Sequence, residues 1–109
     1  MSETTTRQLV TRAAKAAGLK IEWQGWTCYL VEPNIPPVMY KRWNPLYDDG
    51  DALRLAVDLK MRVQVWESTG EATAHWGDLS ESEPLGSNPY DATRRVIVRI
   101  AARMPPRPS

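Results

Sequence analysis

The run "NPYDATRRVIVRIAARM", residues 88–104, constrains this chain more than any other stretch. Asn88 is suited to cap a helix, Pro89 to occupy its first position, and Asp91 to sit three residues past the cap. Val96, Ile97, Ile100, Ala101 and Met104 then share one helical face, and Arg94, Arg95, Arg99 and Arg103 share the other. Such a helix is held mainly by packing of its apolar side. The rest of the chain must therefore supply a matching apolar surface.

Much of that surface is expected to be strand. "LKIEWQGWTCYLVE" alternates, with Ile21 and Trp23 on one side, Lys20, Glu22 and Gln24 on the other, and Gly25 marking a turn or a bulge. "MRVQVWES" alternates as well: Met61, Val63 and Val65 face one way, and Arg62, Gln64 and Trp66 the other. The "TG" that follows invites a turn, and "EATAHWGD" returns as an antiparallel partner. "EPNIPP" reads as a loop, because prolines cannot pair within a central strand. "VMYKRW" reads as a short strand, and "LSESEPLGS" as a polar loop.

Two more helices are expected. Leu9, Val10, Ala13, Ala14, Ala16 and Ala17 follow a helical period, Thr4 to Thr6 offer N-caps, and Gly18 stops the run with a left-handed cap. In "DALRLAVDLK", Leu53, Leu55, Ala56, Val57 and Leu59 form a broad apolar face with Asp51, Arg54 and Asp58 opposite. The pattern predicts an α+β fold: a largely antiparallel sheet and three helices, in the order helix, two strands, an optional strand, helix, two strands, helix, as a two- or three-layer sandwich. One domain over 6–104 is expected, after a flexible 1–5 and before a Pro-rich tail at 105–109.

Composition narrows the function classes. Fourteen Lys and Arg against thirteen Asp and Glu leave a net charge of +1, so no global field draws the chain to nucleic acid or an anionic membrane. Cys28 is the single cysteine, which rules out an internal disulfide. No stretch approaches the roughly 20 apolar residues of a membrane span, and the polar "MSETTTRQLV" lacks the apolar core of a secretion signal. The expectation is a soluble protein of the bacterial cytoplasm, monomer or homodimer, with no membrane association and no cofactor.

The acids of "YDDGDA" invite a metal reading. A calcium loop ends in a bidentate Glu at position twelve, but counting from Asp48 that position is Leu59. Asp48, Asp49 and Asp51 are better placed at a helix start, where carboxylates take the free backbone N–H groups. His75 is the only histidine, and one His with one Cys is too few for a zinc site. A His75–Cys28 catalytic pair has no basic neighbour near Cys28 to activate the thiol. Phosphate loops, nucleophile elbows and zinc helices are missing from the sequence.

Binding remains. The aromatic complement is five Trp, four Tyr and no Phe. Most of these are expected to pack the core and its edges, with some left outside as anchors for a protein partner. The candidates are Trp26, Tyr40, Trp43, Tyr47, Trp66 and Trp76, with Trp43 the first to expect at the surface. The alternative is a nucleic-acid contact through Arg94, Arg95, Arg99 and Arg103; at this net charge nucleic acid is the less expected partner.

Three quoted stretches also carry a family pattern. "RAAKAAGLKIEWQG", "RWNPLYDDGDALRLAVDLKMRVQV" and "NPYDATRRVIVRIAA" together resemble a group of small tailed-bacteriophage and prophage proteins with the phage α/β/α sandwich domain. The resemblance spans about residues 8–104 and is most specific in the central stretch. It implies a sandwich fold and an accessory role exerted by binding a host or phage protein, inhibition of a host defence protein among the roles it would fit. It implies no catalytic residues. Pro36-Pro37 and the "PPRPS" tail stand outside the pattern.

Overall fold

A computed structural model describes residues 5–107. The elements run α1 (Thr6–Ala16), β1 (Ile21–Gln24), β2 (Thr27–Leu30), α2 (Asp49–Asp58), β3 (Arg62–Trp66), β4 (Glu71–Trp76), β5 (Leu79–Pro84) and α3 (Pro89–Arg103), with a 3-10 turn at Pro37–Met39. The fold is α+β, with three helices and two antiparallel sheets, one of two strands and one ordered β3-β4-β5.

Local chemistry accounts for most boundaries. Thr5 caps α1 in a reciprocal box: its hydroxyl accepts the Gln8 N–H, and the Gln8 side chain accepts the Thr5 N–H. Thr5 is therefore part of the fold, while the rest of the expected flexible N-terminus, residues 1–4, lies outside the described residues. Gly18, at φ 72, lets the Gly18 and Leu19 N–H groups reach back to Lys15 and Ala14 and close the helix. Gly25, at φ 63, starts the two-residue turn that pairs Gln24 with Thr27 and leaves Trp26 at the hairpin tip.

Two segments differ from the sequence reading. "VMYKRW" is not a strand: after the 3-10 turn it touches β2 through one isolated bridge, Tyr29 to Arg42. The prolines on its N-terminal side remove donors that a ladder needs. "LSESEP" is not a loop but β5, joined to β4 by the two-residue turn Gly77–Asp78. Its inward residues are Leu79, Glu81 and Glu83, so two of three inward positions are charged and the usual apolar alternation is hidden. Pro84 is tolerated because β5 is an edge strand.

The core has two parts that share α3. Ala92, Val96 and Ile100 pack on Ala72 and Ala74 of β4. Ile97, Val98 and Ala101 pack with α1, α2, the β1–β2 hairpin and Trp43. The tail turns back on α1, where the Arg107 N–H donates to the Lys15 carbonyl at 2.8 Å; Pro108 and Ser109 lie outside the described residues.

Candidate functional site

The acidic turn is structural. Asp48 caps α2 by accepting the Asp51 N–H at 2.8 Å. Asp51 does not lie on the solvent side as its wheel position predicted: it is 8% exposed. Its two oxygens accept the Asn44 N–H at 3.0 Å and the Arg54 guanidinium at 2.7 Å, so one buried carboxylate ties the Asn44-Pro45 turn to the helix. Asp49 pairs with Arg94 of α3. Each acid is thus committed to protein groups. Among the described residues, no cluster of three His, Cys, Asp or Glu is arranged to hold a metal.

The arginine stripe is likewise occupied. Arg94 donates to the Leu46 carbonyl and pairs with Asp49 and Asp91. Arg95 pairs with Asp91 and Glu83, Arg99 with Glu83, and Arg103 with Glu81. Burial works to raise the Glu83 carboxyl, but the hydrogen bond from Arg95 and the charge of Arg99 outweigh it and hold the group below its ordinary value. Arg95 is held more firmly protonated, chiefly by its hydrogen bond to Glu83. A phosphate reaching this helix face would have to compete with a carboxylate at every arginine.

The aromatic candidates separate. Trp43 is only 4% exposed and belongs to the core, a correction to its expected surface place. Its segment runs beside β2, with the Trp43 N–H donating to the Cys28 carbonyl, and this carries the side chain inward. Tyr40 and Trp76 are half-buried. Trp66 is partly exposed on the sheet, with its indole N–H on the Thr73 hydroxyl. Trp26, 90% exposed, and Tyr47 share a cleft with Trp23, which lies under the Arg7 guanidinium at 4.9 Å and donates to Thr11.

The largest departure concerns α2. Leu53 and Val57, expected to be buried, are 64% and 65% exposed, while Ala52, Leu55, Ala56 and Leu59 face the core. The helix is apolar over more than half its circumference, and the core covers only part of it. Leu53 borders an open groove of about 550 Å³, walled by Ala56 of α2, Val63 and Val65 of β3, and Tyr90 and Ile97 of α3. Leu53, Val65 and Tyr90 on its rim are all exposed large apolar side chains. β3 is also the edge of its sheet, so one row of its backbone groups has no strand partner among the described residues. Sequence reasoning missed this surface. The detectable signal was an apolar arc on α2 wider than a single core contact requires.

Cys28 and His75 lie in different sheets. Cys28 is buried in β2, and burial pushes its thiol up to about 11, which keeps it protonated at neutral pH. His75 is in the other sheet, with Arg62 and Ser80 as cross-strand neighbours. No described helix is long and apolar enough to cross a membrane. Comparison with protein-family models, with curated proteins and with solved structures finds no match for this chain.

Proposed function

We propose that this protein is a non-enzymatic binding module, an accessory protein of a phage or prophage, that acts by gripping a host or phage protein in the groove between α2, β3 and α3. The observation that carries this reading is the groove itself: a nearly all-apolar opening of about 550 Å³ beside a free strand edge. Exposed contiguous apolar surface of this kind on a small domain marks an interaction site. The partner's segment is an extended, apolar strand. Its backbone adds to β3, and its alternate side chains enter the groove between Leu53 and Val65. A host protein inhibited by this contact fits the reading, and so does a phage protein.

Affinity capture from bacterial cells with wild-type, Leu53→Asp and Trp26→Ala proteins tests it. A shared partner held by wild type and Trp26→Ala but lost by Leu53→Asp is the expected result, since a charge in the groove costs at least about tenfold in binding. Loss with Trp26→Ala alone would move the contact to the aromatic cleft and overturn the groove assignment. Capture of no protein, together with salt-sensitive retention of duplex DNA that is abolished by charge reversal at Arg95 and Arg99, would replace this reading with the nucleic-acid one.

A further inference from the structure

A second concavity, apart from the groove, carries a different chemistry. It lies between α2 and the segment following β2, and its volume is about 430 Å³, within the range of small-molecule sites. Leu19, Leu30, Leu55 and Trp43 give it apolar walls, and Leu55 and Trp43 are among the buried core residues.

Trp43 is the informative one. Trp23 and Trp66 give their indole N–H groups to threonine hydroxyls, whereas that of Trp43 meets no acceptor among the described residues. No buried side-chain nitrogen or oxygen there lacks a partner, so this N–H keeps access to the outside. The cleft is the concavity that Trp43 lines. A side chain only 4% exposed thus keeps an unused donor with access to solvent, and its residue lines this cleft.

Arg54 lines the same cleft, with its side chain 69% exposed and anchored at one end. One of its Nη atoms is on Asp51, whose other oxygen is taken by Asn44. A β-carbon at Gly50 would come within 3.2 Å of both Nη atoms. The glycine in "DDGD" therefore leaves the room in which this guanidinium rests. The other N–H groups of Arg54 have no acceptor among the described residues. Around the same opening, Lys41 and Arg42 are cations and Glu32 and Asp58 anions, none of them in an ion pair among the described residues.

We propose that this cleft binds a small zwitterion with an apolar side group, of the α-amino acid class. Its carboxylate takes the Trp43 N–H and the free N–H groups of Arg54, the arrangement in which a guanidinium binds carboxylate best. Its ammonium is met by Glu32 and Asp58, and its apolar group lies against Leu19, Leu30 and Leu55. Lys41, Arg42 and Arg54 are balanced by Glu32, Asp51 and Asp58, so the opening has no excess positive charge for a multiply charged phosphate, and the apolar walls disfavour a purely polar ion.

The experiment titrates the isotope-labelled 109-residue chain with leucine, phenylalanine and tryptophan at millimolar concentration. The readouts are the indole N–H resonances and the unfolding temperature. Saturable movement of the Trp43 indole resonance with a rise in unfolding temperature is expected from at least one of the three. 4-Methylpentanoic acid and leucinamide, each leucine with one charge removed, should bind about tenfold more weakly or worse. Arg54→Gln, which removes the guanidinium, and Glu32→Gln should weaken binding similarly. If none of the three amino acids moves that resonance in wild-type protein, or if the one-charge analogues bind as well, the proposal is wrong. The wild-type readout stands even where a variant fails to fold. Loss of the groove's protein partner with Leu53→Asp is independent of either outcome.

Discussion

Lys60 shows how a single residue can record a compromise. It follows α2 at φ 56, in the left-handed region that β-carbons disfavour. The reason is the helix end: the Lys60 and Met61 N–H groups return to the carbonyls of Val57 and Ala56, a closure that glycine usually serves. α1 ends with the same pair of bonds and does have a glycine, Gly18. Lys60→Gly should raise stability by about 0.5–1 kcal/mol, read as a higher urea midpoint at unchanged slope; a lower midpoint would show that the lysine side chain has a stabilising contact. At this scale the acids of "DDGD" were legible as a helix start, because capping is local. The burial of Asp51 was not, because its partners Asn44 and Arg54 meet it only once the turn has folded over the helix.

Between elements, β5 and α3 are readable only together. Glu81 and Glu83 look like loop residues in one segment, and Arg95, Arg99 and Arg103 look like a solvated face in the other. In the fold they are each other's partners. Glu83 is held below its ordinary value of 4.5, so the stability it contributes is present above the unfolded carboxylate range and is lost as pH falls through its folded value. Glu83→Gln should cost about 1–3 kcal/mol near neutral pH. The gap from wild type should close as pH falls from the ordinary carboxylate range through the lowered folded value. Urea midpoints measured across that range check the sign, and a gap that widens toward acid would contradict it. The same joint reading explains α2: its apolar arc was visible, but which half the core would cover depended on where α1 and α3 lie.

For the whole molecule, α3 is the element that makes one unit of two cores. Its Ile100 side packs on β4, and its Val98 side packs with α1, α2 and the hairpin. Because neither cluster closes without this helix, unfolding should be one transition. Ile100→Ala, a deletion in the sheet-side cluster worth about 2–5 kcal/mol, should lower the urea midpoints of Trp23 in the hairpin and Trp66 in the sheet equally, followed by their indole resonances. Separate midpoints would show two independent units. What the sequence by itself determined is what short-range chemistry decides: three helices with their caps, the hairpins at Gly25 and after Trp66, the α+β class and the absence of a metal-loop pattern. Only the tertiary structure decided which side chains face water. It buried Trp43 and Asp51, exposed Leu53 and Val57, and neutralised the arginine stripe, because burial and pairing depend on contacts between residues far apart in the chain.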